Sequence, residues 1–205
     1  MDCNGCDPGR GPRPEDLLPA STAKSVKVVI VGGFGVGKTT MVGAVSEIRP
    51  LTTEETMTRA GIGVDDVFGV ERKTETTVAM DFGRISLNER LVLYLFGTPG
   101  QQRFWFLWNG VLEGALGAVV LLDPRRLEDS FQAVDRLEES GLPFVVAVNS
   151  FADAPVHPVS ALRSALDLPE HVPVVDCDAR NPDSSRHVLL TLMRYLYSNA
   201  TSERL

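Results

Sequence analysis

The sequence contains few cysteines: three in 205 residues, at positions 3, 6 and 177. This number excludes the disulfide framework of a small secreted protein and fits a reducing cytoplasm, where we expect the chain to be located. Cys3 and Cys6 form one Cys-x-x-Cys pair, but a structural zinc site needs about four ligands and the sequence has no second pair. We therefore expect no metal at these cysteines.

Long apolar runs and an excess of positive charge are also missing. The apolar segments are strand-sized, well below the roughly 18 residues that cross a bilayer, and no lipidation motif is present, so we expect no direct membrane insertion. The net charge of −7 is the opposite of the excess positive charge that is typical of proteins that bind nucleic acid. The composition, with 43% hydrophobic residues, is that of a globular domain with a sizeable core.

The predicted organisation is a tail followed by one domain. Residues 1–24 carry four prolines and three glycines without an apolar period, which indicates a disordered tail. Residues 25–205 alternate buried strands with helices, which favours an α/β fold: a mostly parallel six-stranded sheet with one antiparallel strand and helices on both faces. After residue 100 the expected elements are helix 101–113, strand 117–123, helix 127–140, strand 143–149, helix 158–167, strand 172–177 and helix 184–200.

A long connection and a tight hairpin separate the first helix from this alternation. Residues 50–77 are mostly polar, and a loop of that length predicts a functional segment. The strands at 78–87 and 90–97 are predicted to be antiparallel neighbours joined by a tight turn. If the turn is centred on Asn88 and Glu89, counting back along the ladder places Asp81 opposite Phe96.

The segment GGFGVGKTT, residues 32–40, satisfies the phosphate-loop pattern G-x-x-x-x-G-K-[ST] after a buried strand and at the start of a helix. Glycines allow successive backbone N–H groups to point at phosphates, and the helix N-terminus adds partial positive charge. We expect Lys38 to reach the terminal phosphates and Thr39 to ligate Mg²⁺. The residues expected to contact nucleotide in this P-loop are Gly32, Gly35, Val36, Gly37, Lys38, Thr39 and Thr40.

With "ETTVAMDFG", "LYLFGTPGQQRFWF" and "CDAR", the order of elements resembles that of the Ras-like small GTPases. More closely, it resembles the actinobacterial conservon GTPases, relatives of the bacterial gliding-motility (MglA-type) GTPases. The resemblance covers about residues 25–200 and implies a P-loop molecular switch that binds GTP or GDP with Mg²⁺ and hydrolyses GTP. It also implies a roadblock/LC7-type regulator and a sensor-kinase-like membrane protein as partners, which could recruit the protein to the membrane.

The resemblance assigns roles to residues of two switch segments. Thr77, with Thr76 as the neighbouring alternative, matches the threonine that ligates Mg²⁺ and senses the γ-phosphate. Gly100 matches the glycine whose N–H contacts the γ-phosphate, and Gln101 matches the glutamine that orients the attacking water. Gln101 and Lys38 are therefore the expected catalytic residues, although Gln101 could instead cap the helix that follows.

Two departures from the family pattern predict slow hydrolysis. Phe34 stands where fast enzymes usually have glycine, and its side chain would crowd the γ-phosphate. Pro99 fixes φ and removes a backbone donor next to Gly100. The candidate in-cis arginine fingers, each of which could also be a solvated charge, are Arg59, Arg72 and Arg103.

The guanine-recognition motif Asn-Lys-x-Asp is matched in part. Asn149 matches the asparagine, while Ser150 replaces the lysine and Asp153 lies one residue beyond the usual aspartate. In "CDAR", the resemblance implies that the Ala179 N–H donates to the guanine carbonyl oxygen and that Arg180 stacks on the base. Guanine is favoured over adenine.

Gly97 stands at the end of its strand, where the family has an aspartate that helps to hold Mg²⁺. Asp81 is an unusual carboxylate for a buried strand, and we expect it to supply the missing charge through a Mg²⁺-bound water. Pairing of Asp81 with a basic side chain or with backbone is the alternative. The expected metal ligands are thus Thr39, Thr77 and Asp81.

The helix after the second switch is unusually aromatic. Phe104, Leu107, Trp108 and Val111 share one helical stripe and are predicted to be core, and Trp105 or Phe106 would then face a partner or the 50–77 loop. Two other functions stay open: a non-hydrolysing nucleotide-binding scaffold (a pseudo-GTPase), and a P-loop small-molecule kinase.

Overall fold

The computed structural model describes residues 24–57, 76–100 and 108–202. Residues 1–23 of the predicted tail, most of the predicted 50–77 loop and the first residues of the aromatic helix lie outside the described residues, whereas Lys24, the last residue of the predicted tail, already belongs to a strand. So do the residues Arg59, Arg72, Gln101, Arg103, Phe104, Trp105, Phe106 and Leu107. The side chains of Thr76 and Thr77 also lie outside the description.

The described part of the chain forms seven strands, which make one sheet in the order β2-β3-β4-β1-β5-β6-β7. Only β3 runs against its neighbours, since it pairs antiparallel with both β2 and β4 while the other pairs are parallel. The predicted fold class is confirmed. The strands are β1 Lys24–Val31, β2 Leu51–Met57, β3 Thr76–Asn88, β4 Leu91–Gly97, β5 Gly117–Leu122, β6 Phe144–Asn149 and β7 Val174–Cys177.

Strand β2 is one strand more than the sequence predicts, because the predicted 50–77 loop includes residues 51–57. Its sequence LTTEETM lacks the apolar alternation of a half-buried strand. It lies at the sheet edge, where polar residues are common, and it pairs with β3 from Leu51 opposite Phe82 to Met57 opposite Thr76. Threonine favours strands, so the threonines of LTTEETM are the feature of the sequence that indicates β2.

Helices cover both faces of the sheet, as predicted. Helices α1 and α5 pack on one face against Val28 and Ile30, and helices α2, α3 and α4 pack on the other against Val29 and Val31. The side chains of alternate β1 residues therefore pack into the core on opposite faces of the sheet. The helices are α1 Lys38–Val45, α2 Trp108–Leu112, α3 Glu128–Ser140, α4 Val159–Ala165 and α5 Pro182–Ser202. Among the described residues, no helix is long and apolar enough to cross a membrane.

The hairpin register differs from the prediction by one residue. Asn88 pairs with Leu91, so Glu89 and Arg90 form the turn, and the ladder is irregular between Ser86 and Asn88. The register beyond this bulge places Asp81 opposite Gly97, not opposite Phe96. A bulge adds one residue to one strand, and the sequence pattern gave no sign of it. The carboxylate thus faces the position where the family's aspartate would stand.

Candidate functional site

The P-loop connects the carboxyl end of β1 to the start of α1. Its backbone has positive φ at Gly32, Gly35 and Gly37, at 145°, 73° and 105°. A Cβ on Gly32 would lie 2.3 Å from the carbonyl oxygen of Leu121, so only glycine allows the loop to pack against β5. Helix α1 begins at Lys38, and its first N–H groups have no partner within the helix. This arrangement can bind an anion.

Lys38 is the cation within the loop, and its side chain is buried. Its Nζ donates to the carbonyl oxygens of Gly32 at 2.8 Å and Gly33 at 2.7 Å. Burial lowers the pKa of Lys38 to about 8, an effect that the negative charge of Asp81 opposes. Phosphate oxygens in the loop would favour the charged form of Lys38 in the same way, because an adjacent negative charge raises a lysine pKa.

Gly100 lies directly against the loop. A Cβ on Gly100 would be 2.6 Å from Lys38 Nζ and 2.7 Å from the carbonyl oxygen of Gly33. The structure therefore brings together Gly100 and Lys38, which the resemblance assigns to the terminal phosphate. The neighbouring Pro99 is buried, and its carbonyl oxygen accepts a hydrogen bond from Trp108 Nε1 at 3.4 Å. Gln101, the expected catalytic glutamine, lies outside the described residues.

Asp81 reaches the P-loop helix from β3. Its buried carboxylate accepts a hydrogen bond from Thr39 Oγ1 onto Oδ2 at 2.5 Å. A hydroxyl and a carboxylate side by side are oxygen ligands of the kind that Mg²⁺ binds. The described residues contain no group of three or more His, Cys, Asp or Glu side chains that could hold a metal. Among the described side chains, Thr39 and Asp81 are thus the oxygen ligands that could stand beside a magnesium ion, and phosphate oxygens and water could supply others.

Asn149, at the carboxyl end of β6, joins the P-loop to the loop after β7. Its Nδ2 donates to the carbonyl oxygen of Val36 at 2.8 Å, and its Oδ1 accepts from the Ala179 N–H at 2.9 Å and the Ser150 N–H at 3.0 Å. The residue is buried, and its hydrogen bonds to Val36 and Ala179 are shielded from water. The Ala179 N–H, expected to donate to guanine, donates here to Asn149.

The other predicted base contacts lie on the surface. Asp153 is exposed in a turn with φ of 59°, a left-handed conformation that aspartate tolerates better than most residues. Arg180 forms two hydrogen bonds to the Asp178 carboxylate, at 2.8 and 2.9 Å. This pairing lowers the pKa of Asp178 and raises that of Arg180. Arg180 is thus held by a neighbouring carboxylate, and a role in stacking on a base would require it to turn.

Sequence reasoning missed a charged cluster after β5. Asp123 is 2% exposed, and its carboxylate accepts hydrogen bonds from Arg125 Nε at 2.9 Å and Nη2 at 2.7 Å. It also accepts one from Arg126 Nη2 at 3.2 Å. The hydrogen bonds from Arg125 lower the pKa of Asp123 to about 2, although burial opposes them. The available signal was "DPRR" directly after a buried strand.

The two arginines of this cluster point to different parts of the site. The guanidinium carbon of Arg125 lies 3.8 Å from the ring centroid of Phe151, in the loop after β6. Arg126 Nη2 donates to the carbonyl oxygen of Phe34, in the P-loop, at 3.0 Å. The cluster therefore contacts both the phosphate-side loop and the base-side loop.

A cavity of about 710 Å³ lies beside these loops, at the edge of β7 between α4 and α5. Asn149 and Phe151 line it, together with His157 and His187, but no P-loop residue does. His187 is exposed, while His157 is half-buried with Nε2 at 3.2 Å from the Pro124 carbonyl oxygen. The phosphate site and this cavity are thus separate spaces that share the base-side loop.

Comparisons with known proteins agree with this geometry. Residues 30–199 match the family described as "Conserved hypothetical ATP binding protein". An uncharacterised protein of Methanocaldococcus jannaschii is 31% identical over 126 residues, which are 60% of this chain and 69% of that protein. The solved G domain of the T. maritima FeoB iron transporter has a TM-score of 0.57 and 18% identity over 84% of this chain and 99% of its own. The last likeness concerns the fold.

Proposed function

The chain belongs to the family of conserved hypothetical ATP binding proteins, and from that premise we propose that it is a nucleotide-dependent switch. It binds a purine nucleoside triphosphate together with Mg²⁺ and hydrolyses it slowly. The observation that carries the proposal is the hydrogen bond between Thr39 and Asp81, beside Lys38. Thr39, Asp81 and Lys38 thus place a hydroxyl, a carboxylate and an ammonium group at one end of an anion-binding loop.

We infer that guanine is the preferred base, in the form of GTP and GDP. Asn149 holds the base-side loops as the asparagine of the guanine motif would, and Asp153 lies four residues later on an exposed turn. A carboxylate can accept two hydrogen bonds from guanine, whereas adenine offers no matching pair of donors. The family description names ATP, so displacement of labelled GTP by ATP is the measurement that decides between the bases.

Slow hydrolysis follows from two residues near the terminal phosphate position. Phe34 is 64% exposed in the P-loop, and in this proposal its side chain restricts access to the γ-phosphate for water or for a second protein. Pro99 stiffens the backbone before Gly100 because its φ is fixed. A single-turnover rate of several per second without a partner would contradict this part of the proposal.

The signalling role rests on the resemblance to the conservon and gliding-motility GTPases. In this proposal Thr77 and Gln101 change position between the triphosphate and diphosphate states, and a roadblock/LC7-type regulator reads the difference. A sensor-kinase-like membrane protein would recruit the cytoplasmic switch. Nucleotide-dependent binding of a purified roadblock/LC7 partner tests this role.

Substitution of Asp81 tests the proposed magnesium site. We expect Asp81→Asn to weaken Mg²⁺-dependent triphosphate binding by roughly 10–100-fold, the usual effect of removing a group that orients metal ligands. Binding without Mg²⁺ should change little. Titration of fluorescent nucleotide at several Mg²⁺ concentrations measures both quantities.

Asp135→Asn, at an exposed position of α3, is the matched control and should bind as the original protein does. Equal Mg²⁺ dependence in Asp81→Asn and in the control would refute the assignment of Asp81.

A second experiment separates the switch from a non-hydrolysing scaffold. Nucleotide that remains a triphosphate through a long single-turnover incubation with Mg²⁺ supports the scaffold.

A further inference from the structure

Arg126 approaches the P-loop from outside the motif. Its Nη2 donates to the carbonyl oxygen of Phe34 at 3.0 Å, between residues 92 apart in sequence. The same nitrogen lies 3.9 Å from the position that a Cβ would take on Gly35. The guanidinium group is therefore in contact with the middle of the loop, the part whose backbone curves around phosphates in this motif.

Two carboxylates fix the direction of this guanidinium. Asp123 Oδ2 accepts from Arg126 Nη2 at 3.2 Å, and Asp129 Oδ2 lies 3.5 Å from Nη1. Asp123 is buried at the end of β5, and Asp129 lies in the first turn of α3, against Gly33. The Arg126 side chain is still 43% exposed. A guanidinium has five N–H donors, so this arrangement leaves donors for a ligand.

A bound triphosphate carries more negative charge than Lys38 alone balances, so a second cationic side chain beside the loop would stabilise it. In the transition state of hydrolysis, negative charge develops on the bridging oxygen and is spread over the γ-phosphoryl oxygens, and arginine is well suited to these oxygens because its guanidinium is planar and always charged. We propose that Arg126 is a phosphate-facing arginine that donates to the terminal phosphate oxygens of the bound triphosphate. This inference rests on the proposed nucleotide-binding function.

The role of Arg126 in hydrolysis is electrostatic. A water oxygen bonds to the γ-phosphorus, the bond to the bridging oxygen breaks, and the bridging oxygen keeps the electron pair on the nucleoside diphosphate. The water protons pass to the released phosphate and to solvent. Arg126 donates hydrogen bonds to the oxygens on which charge develops and exchanges no proton.

Arg125 provides a comparison within the same cluster. It binds the same carboxylate of Asp123 and has a similar side-chain exposure, 41% against 43%. Its guanidinium stacks on Phe151 on the base side and not on the P-loop. Removal of Arg125 should therefore affect triphosphate and diphosphate equally, whereas removal of Arg126 should affect the triphosphate alone.

The experiment compares Arg126→Ala, Arg126→Lys, Arg125→Ala and Arg136→Ala in the full-length chain. Arg136 lies on α3 and pairs with Glu139, which makes its substitution the charge control. The readouts are the affinity ratio of a non-hydrolysable triphosphate over the diphosphate, the binding of diphosphate with aluminium fluoride, and the single-turnover rate. Guanine and adenine nucleotides are both used.

For Arg126→Ala we expect the affinity ratio to fall about 10-fold or more and the hydrolysis rate to fall about 10²–10³-fold, the effect of removing one preorganised donor. Arg126→Lys should recover part of the affinity ratio but not the rate, because a lysine cannot reproduce the planar donor pair. The diphosphate affinity of Arg126→Ala should match that of Arg136→Ala.

An unchanged ratio and unchanged aluminium fluoride binding in Arg126→Ala would overturn the proposal while leaving nucleotide binding intact. Equal losses for triphosphate and diphosphate would also overturn it, since they indicate that Arg126 only shapes the loop. Failure of the original protein to bind any nucleotide would instead reject the proposed function, and the inference with it.

Discussion

Gly100 is a residue whose lack of a side chain is required by its neighbours. A Cβ at this position would lie 2.6 Å from Lys38 Nζ and 2.8 Å from the carbonyl carbon of Gly33. The second of these atoms is backbone and cannot move without distorting the P-loop. The glycine therefore determines how closely the segment after β4 can approach the cation of the site.

We expect Gly100→Ala to weaken nucleotide binding by about 10-fold or more and to lower the free energy of unfolding by about 1–3 kcal/mol, the usual cost of overpacking. Isothermal titration and urea unfolding measure the two effects. Gly110→Ala is the control, because Gly110 is exposed in α2 and a Cβ there meets no atom within 4 Å. A Gly100→Ala protein with the affinity and stability of this control would contradict the expectation.

The residues of the P-loop could be predicted because the motif is local: spacing alone assigned Lys38 and Thr39 to neighbouring positions at the start of a helix. The contact of Arg126 with the P-loop could not be predicted. Its partner Phe34 is 92 residues away in sequence, and the two residues meet only because of how β1 and β5 pair. The position of Asp81 could be predicted only in part. The sequence indicated that a carboxylate was present in β3, and the hairpin bulge decided where it pointed.

At the scale of elements, helix α1 is held close to the sheet by a second glycine. A Cβ on Gly83, in β3, would lie 2.7 Å from Val42 Cγ1 and 3.1 Å from Ser46 Cβ. The N–H of Arg84 donates to Ser46 Oγ at 3.1 Å, so strand and helix are also joined by a hydrogen bond. This packing positions the Thr39 end of α1 next to Asp81 on the same strand.

Gly83→Val should therefore lower the free energy of unfolding by about 1–3 kcal/mol, since it inserts volume into a packed contact. Gly43→Ala on the exposed side of α1, where the nearest atom to a Cβ is 3.7 Å away, should raise it by about 0.5–1 kcal/mol through helix propensity. Urea unfolding curves distinguish the two signs. Equal stability of both variants would mean that β3 and α1 are not tightly packed at Gly83.

Element types were predicted well where hydrophobic periodicity was strong, as in the strands β1, β5 and β6. The missed strand β2 has no such pattern, because a polar edge strand is stabilised by its pairing with β3 rather than by burial. Helix α4, at Val159–Ala165, is shorter than the predicted helix 158–167, and strand β7 begins at Val174 rather than at residue 172. These differences are set by tertiary packing and not by local preference.

At the scale of the whole molecule, the charged cluster after β5 makes the free energy of unfolding depend on pH. Hydrogen bonds from Arg125 hold the pKa of Asp123 at about 2, below its ordinary value of 3.8. The unfolded chain therefore binds more protons than the folded chain between these values, and the stability that this ion pair provides is complete above about pH 4. It is lost as pH falls toward 2.

We expect the loss to be about 2 kcal/mol, since one pKa unit corresponds to about 1.4 kcal/mol. Asp123→Asn should be less stable at neutral pH and should lose less stability than the original protein between pH 4 and pH 2, because no carboxylate remains at this position to be protonated. Asp183→Asn, at a carboxylate that is 90% exposed, is the control and should keep the original pH dependence. Urea unfolding in steps of half a pH unit gives the slopes. Parallel pH profiles for Asp123→Asn and the original protein would show that ionisation of Asp123 does not contribute to the pH dependence of stability.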